Sequence, residues 1–209
     1  MNAVEVTSRR NRQIKIQTVS GHFATSHAHV DTYINLNDIR TSQRMAMIAA
    51  EELAKQYVYS IPVDTIVCLE STQMMGAFIA YQLSSRGMRS LSQNISVVTP
   101  EVNSNNQLMF NDDTQKLIQD KRVLLSISTA STGRSLNRAA ECLSYYGGNL
   151  VGIVAIFSAI DKLNDIPVNS LFSPKDVPGY NSYQSGDCPM CKAGRKLDGF
   201  ITVGGYTKI

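Results

Sequence analysis

The sequence predicts an α/β fold built on an open, mostly parallel sheet with flanking helices, and two observations carry that expectation. Short apolar runs rich in β-branched residues recur as "DTIVCLE", "ISVVTP", "KRVLLSIS" and "NLVGIVAIFS", which suits strands buried on both faces. Helix-period stretches lie between several of them, and strands alternating with helices imply parallel crossover units. With 209 residues, 43% of them hydrophobic and 18% charged, the chain can bury one sizeable core, so one domain over residues 1–209 is expected.

Residues 1–38 are mixed, and the polar run "GHFATSHAHVDTYINLND" holds all three histidines, His22, His27 and His29. Alanines, methionines and Leu53 recurring among Glu51, Glu52, Lys55 and Gln56 predict a helix from 41 to 57, capped near Thr41 or Ser42. Asp64 to Glu70 reads as the first sheet strand. Ser71 and Thr72 then cap a helix whose apolar stripe is Met74, Phe78 and Tyr81. The second strand starts at Ile95 and stops at Pro100, and the polar "EVNSNNQLMFNDDTQ" reads as a long excursion. The third strand, from Lys121, leads to a helix with Leu136, Ala139, Ala140 and Leu143 on one face, ended by Gly147 and Gly148. "NLVGIVAIFS" is the fourth strand and "VNSLFS", from Val168, a short fifth. The tail from Pro174, rich in Gly, Pro, Tyr and Cys, breaks the alternation and is expected to fold over one end of the sheet.

A formal charge of +3 is too small to argue for a nucleic-acid partner, and part of it sits in Arg9, Arg10, Arg12 and Lys15, read as a solvated basic N-terminus. No apolar run approaches the ~18 residues of a membrane span, so no membrane partner is expected. "MNAVEVTSRRNRQ" lacks the apolar region of a secretory signal, which points to a cytoplasmic protein. Of the four cysteines only Cys188 and Cys191 form a recognisable pair, and this is not a disulfide framework.

In an open parallel sheet the ligand site lies beyond the carboxyl ends of the strands. Three loops leave such ends: "ESTQMMG", "TPEVNSNNQ" and "STASTGRS". The third is the most informative. Ser131, Thr132, Gly133, Arg134 and Ser135 stand where a strand turns into a helix, so their backbone N–H groups can converge on a phosphate with the positive end of the helix dipole behind them. The plain alternative is a capped helix start without a ligand, because Ser and Thr cap helices anywhere. No Gly-Lys-Ser/Thr ends the loop, so it is not a Walker loop.

"VLLSISTASTGRSLNRAAECLSYYGGNLVGIVAIF" resembles the phosphoribosyl pyrophosphate motif of the type I phosphoribosyltransferases, and more of the chain resembles their orotate phosphoribosyltransferase branch. "GHFATSHAHVDTYINLNDI" is similar to that branch's N-terminal hood, "DTIVCLESTQMMGAFIAYQL" to its first strand and pyrophosphate loop, and "DCPMCKAGRKLD" to the cysteine-bearing tails of some of its relatives. The resemblance implies a core over about residues 41–172 and a small hood built from about 13–40 and 174–209. It places a sugar 5′-phosphate or nucleotide phosphate on Thr129, Ala130, Ser131, Thr132, Gly133, Arg134 and Ser135, and a pyrophosphate on Glu70, Ser71, Thr72, Gln73 and Gly76. It further implies a base pocket touching Ser26 and His29, a Mg²⁺ cofactor, a homodimer, and transfer of ribose 5-phosphate to a pyrimidine.

Three departures stand against transfer. The family's acidic pair, which holds the ribose hydroxyls and helps organise the magnesium complex, falls on Ile127 and Ser128. No lysine or arginine occurs from Glu101 to Gln115, where the family supplies charge to the leaving pyrophosphate, and Met75 stands where the orotate branch often has lysine. The open readings are therefore an active transferase, with charge supplied by Arg134 or by Arg86 or Arg89 of a second subunit, a catalytically inactive sensor of a phosphoribosyl ligand, and a changed substrate with Glu101, Asp112 and Asp113 organising the metal. His29, Asp31 and Tyr33 alternate on one face of an extended stretch, which would let them meet the same ligand; surface or hydrogen-bonded loop histidines are the plain alternative. Cys188-Pro-Met-Cys191 has the spacing of half a Zn²⁺ site, to be completed by a histidine such as His22, by Cys68, or by a second subunit; free thiols in a folded tail are the alternative.

Overall fold

The computed structural model describes residues 2–86, 94–105 and 107–209. In chain order these form β1 (Ala3–Thr7), β2 (Lys15–Ala24), β3 (His29–Asn35), α1 (Asn37–Thr41), α2 (Gln43–Ala54), β4 (Thr65–Cys68), α3 (Gln73–Arg86) and β5 (Ser96–Val98). Then come β6 (Glu101–Val102), β7 (Leu108–Met109), α4 (Asp112–Gln115), β8 (Arg122–Ala130), α5 (Arg134–Tyr145), β9 (Asn149–Ser158), β10 (Lys162–Leu163) and β11 (Ile166–Phe172). The tail adds β12 (Ser182–Tyr183), α6 (Pro189–Lys192), β13 (Gly199–Thr202) and β14 (Gly205–Lys208).

The expected sheet runs in the order β10-β11-β9-β8-β4-β5, parallel throughout except for β10 at one edge. Helices cover both faces, which is why its strands are apolar without alternation. One core cluster joins Ile66, Leu124 and Ile156 to Leu53 of α2 and Ile79 of α3, and the other joins Val67, Leu125 and Ile127 to Leu136, Ala139 and Leu143 of α5. Arg122 locks the amino ends of neighbouring strands, donating through Nε and Nη2 to Asp64 at 2.8 and 2.6 Å. That pairing holds the Asp64 carboxyl at about 2. A second sheet, β12-β3-β2-β13-β14 with β1 along β2, combines strands from both ends of the chain. β13 lies parallel to the end of β2, pairing Gly199 with Phe23.

Ser42 caps α2 as expected, accepting from Met45 N–H at 3.4 Å. Three expectations need correction. The stripe Met74, Phe78 and Tyr81 is not the buried face of α3: Met74 and Tyr81 are exposed, and Met75, Gly76, Ile79 and Leu83 pack inward. The stretch from Glu101 to Gln115 holds the antiparallel pair β6 and β7 and the helix α4, anchored by the buried Phe110 of the short apolar run Leu108, Met109 and Phe110. The basic N-terminus is engaged rather than merely solvated. Arg9 pairs with Asp176 at 3.1 Å, Arg10 with Glu52 at 3.5 Å, and Lys15 with Glu5 at 2.8 Å.

Gly76 brings α3 against β4, because a Cβ there would run into Cys68 Sγ. Gly76→Ala is expected to lower stability by about 1 to 3 kcal/mol through overpacking. Combining it with Cys68→Ala should recover part of that loss, and urea unfolding of the two single variants and the double variant measures the coupling.

Candidate functional site

The loop after β8 opens into a cavity of about 420 Å³ between the carboxyl end of that strand and the second sheet. Gly133 takes φ +76°, a left-handed geometry that favours glycine, and from there starts α5. Among the described residues no side chain caps this helix N-terminus. Asn137 N–H returns to Gly133 O at 2.8 Å, so the turn is closed while its first residues, Arg134 to Leu136, line the cavity. The arrangement suits an anion: backbone N–H groups and a helix dipole meet at a concave, partly enclosed surface. Ser131 is held by a 2.9 Å hydrogen bond with Tyr180 Oη, and Tyr180 in turn packs edge-on against Phe157.

The end of β8 explains where the missing carboxylates went. Ile127 is fully buried between the sheet and α5, an environment that would penalise an ionised group by several kcal/mol. Ser128 lines the cavity and donates through Oγ to Glu70 O at 2.8 Å. Glu70 then lays its own carboxyl over the strand end, accepting from Thr129 N–H at 3.0 Å. Burial pushes this carboxyl up to about 7, against the opposing pull of the Thr129 N–H and the Arg40 charge. Glu70 and Ser71 carry this turn at φ 52° and 63°, unusual for residues with side chains and the kind of backbone strain that collects at ligand sites. Among the described residues the cavity thus has one lining carboxylate, and it comes from the loop after β4.

All seven residues from Thr129 to Ser135 line the cavity. The pyrophosphate-loop candidates divide. Glu70 faces the cavity, and Ser71 and Gln73 are exposed outside its lining. Thr72 is buried and donates to Leu69 O at 2.9 Å and Ser126 O at 3.1 Å, while Gly76 serves helix–strand packing, so both are corrected from ligand contacts to core positions. On the side of the second sheet, Ser26 lines the cavity but His29 does not; His27 and Tyr33 stand there instead. His29, Asp31 and Tyr33 do not meet at the cavity, which Tyr33 alone of the three lines. A bulge between Ser20 and Phe23 of β2 lies opposite Asp31, between the pairings of Tyr33 and His29, and a bulge increases the local twist. Asp31 instead accepts from the Asn181 backbone and side-chain N–H groups, both at 2.8 Å.

Arg40 was not visible as a site residue, since nothing in "NDIRT" marks it. It lines the cavity from α1, donates to Val203 O and Asn37 Oδ1, and keeps its Nε buried with no partner among the described residues. Glu101, Asp112 and Asp113 do not line the cavity, and Glu101 accepts from Asn111 Nδ2 at 3.3 Å. Arg86 pairs with Glu51 at 3.0 Å, and Arg89 lies outside the described residues. Away from the cavity, Cys188 and Cys191 meet His22 and His29. Cys68 is remote from them in the core, where burial pushes its thiol up to about 12.

Comparison with known proteins follows this geometry. No family model matches the chain. In sequence it is 25% identical over 191 residues to the orotate phosphoribosyltransferase of Campylobacter jejuni, covering 85% of this chain and 89% of that protein. In structure it is similar to the Mycobacterium tuberculosis orotate phosphoribosyltransferase bound to 5-phospho-alpha-D-ribosyl 1-diphosphate, with a TM-score of 0.50 and 14% identity over 69% of this chain and 82% of that one. It is also similar to the adenine phosphoribosyltransferase of Trypanosoma brucei in complex with AMP, pyrophosphate and ribose-5-phosphate, with a TM-score of 0.53 and 14% identity over 83% and 79%. The structural likenesses establish the fold.

Glu70 makes the cavity sensitive to pH. Its folded value of about 7 exceeds the ordinary 4.5, so the folded chain keeps a proton that the unfolded chain has lost in that window. This group's contribution is therefore full below about 4.5 and falls as pH rises towards 7, by at most about 1.4 kcal/mol per pH unit. Urea unfolding across that range should show the fall in the wild type and a flatter profile in Glu70→Gln.

Proposed function

Starting from an orotate phosphoribosyltransferase-like chain with the type I phosphoribosyltransferase fold, we propose that it binds phosphoribosyl pyrophosphate, seating the 5′-phosphate on Ser131 to Ser135, and transfers the ribose 5-phosphate to an acidic pyrimidine. The observation that carries this reading is the uncapped start of α5 opening into the cavity of about 420 Å³. A phosphate there takes several N–H groups at once, and Ser131, Thr132 and Ser135 add hydroxyl donors. The ribose then lies along Ser128 and Glu70, whose carboxylate stands beside the strand end that carries the acidic pair in the family.

At the hood end the Arg40 guanidinium stands on the cavity wall, and its positive charge favours a pyrimidine carboxylate over a neutral ring. The reaction forms a bond from the base nitrogen to the anomeric carbon as the bond to pyrophosphate breaks. Mg²⁺ fits this site as an ion carried chiefly by the ligand's own phosphates, with Glu70 as the available protein carboxylate; when bound, it would neutralise the leaving pyrophosphate.

A second reading is supported by a specific observation. Ile127 faces the core and the β6–β7 stretch carries no cation, so binding without turnover, in a sensor of phosphoribosyl ligands, is the alternative. Calorimetry with phosphoribosyl pyrophosphate, with and without Mg²⁺, followed by pyrophosphate release in the presence of orotate, separates the two. Saturable binding is expected. Gly133→Val forces a β-branched residue to φ +76° and places a Cβ 3.0 Å from Ile160 Cδ1, so it should weaken binding at least about tenfold. Absence of binding to either phosphoribosyl pyrophosphate or a nucleoside 5′-phosphate would sink both readings, whereas binding without pyrophosphate release would leave only the sensor.

A further inference from the structure

Four metal-ligating side chains from separate stretches of the chain converge outside the cavity. His22 Nε2 stands 3.1 Å from His29 Nδ1, 3.5 Å from Cys188 Sγ and 3.6 Å from Cys191 Sγ, and Cys191 Sγ is 3.2 Å from His29 Nδ1. All four ligand atoms lie within 4.8 Å of one another. A tetrahedral zinc ion with bonds of about 2.3 Å to sulfur and about 2.0 Å to nitrogen holds its ligand atoms roughly 3.3 to 3.8 Å apart. The side chains already stand close to that spacing.

The surroundings orient them for the same task. His22 Nδ1 is 2.9 Å from Arg195 O and 3.2 Å from Lys196 O; carbonyls only accept, so Nδ1 carries the proton and Nε2 turns its lone pair to the cluster. The Cys-x-x-Cys turn is closed by Lys192 N–H donating to Cys188 O at 3.1 Å and Gly194 N–H to Cys191 O at 2.9 Å, with Gly194 at φ +72°. Asp198 ties the next residues back to β2: His22 N–H donates to its Oδ2 at 2.7 Å, and its own N–H donates to His22 O at 2.7 Å. His22 and Cys188 are fully buried while Cys191 is exposed, which leaves an entry side for an ion. Two thiolates and two neutral imidazoles balance a divalent cation, and this donor set selects zinc over magnesium or calcium.

We propose that His22, His29, Cys188 and Cys191 bind a structural Zn²⁺ that clamps the C-terminal tail to β2 and β3. Four protein ligands close the coordination sphere, so the ion has a structural rather than a catalytic place. Its effect on the cavity is indirect: β13 and the turn after it, Ile201 to Gly205, form part of the wall and depend on the same tail. The assignment stands independently of which ligand the cavity takes.

Untagged protein prepared under reducing, anaerobic conditions is expected to carry about one zinc per chain by mass spectrometry. Co²⁺ in its place should show the intense visible bands of a tetrahedral site and thiolate charge transfer in the near ultraviolet. His29→Asn, a half-exposed position off the cavity wall, should weaken Co²⁺ binding at least about tenfold without unfolding the chain. Chelation of the wild type should speed tryptic cleavage at the exposed Lys192, Arg195 and Lys196 about tenfold, and added zinc should restore protection. Zinc content near zero after reconstitution, a six-coordinate Co²⁺ spectrum, or unchanged metal binding in folded Cys188→Ser and His29→Asn variants would overturn the proposal.

Discussion

Burial of β8 on both faces is the constraint from which the site follows. The strand pairs with β4 on one side and β9 on the other, and Val123, Leu124, Leu125 and Ile127 are fully enclosed. Each such side chain contributes about 1.5 to 3 kcal/mol relative to exposure, a large amount against a total stability of about 5 to 15 kcal/mol. The place where β8 ends is therefore fixed by packing rather than by the loop that follows. The chain must turn there into α5, which covers the same face of the sheet. The helix N-terminus, with its dipole and N–H groups, is delivered to the cavity as a by-product of that turn.

The same constraint shapes the chemistry at the strand end. Position 127 points into the α5-side core, where an ionised carboxylate would lack solvent and partners. Glu70 reaches the region by another route, from a strained turn after β4, and is held there by Thr129 N–H and Ser128. One group supplied through a turn differs from two on a rigid strand. Its protonation responds to whatever enters the cavity, because a phosphate brings negative charge near it and a metal ion brings the opposite.

Much of this was legible in the sequence. Strand placement followed from uninterrupted β-branched runs, and the loop that lines the cavity from small residues between a strand and an amphipathic helix. What escaped reading depended on contacts distant in the chain. Nothing near Arg40 announces that it will meet Val203, and Thr72 looks like an available hydroxyl until Leu69 and Ser126 carbonyls claim it. The α3 stripe misled because Met74, Phe78 and Tyr81 are apolar at helical spacing, yet small Gly76 and Ala80 mark the face that packs closest. For His29, Asp31 and Tyr33, alternation predicted a shared face, and a bulge in the neighbouring β2, which nothing in the sequence of β3 announces, falls between the pairings of Tyr33 and His29.

The cavity wall draws on residues from Thr25 at one end of the chain to Gly205 at the other, and β13 takes its place only by lying alongside β2. During synthesis the strands of the parallel sheet can emerge and pack while the last stretch is still inside the ribosome. The pocket cannot close at that stage. A ligand held by the finished wall thus distinguishes a chain in which β13 has docked on β2 from one without that strand, even when the central sheet of the latter has folded.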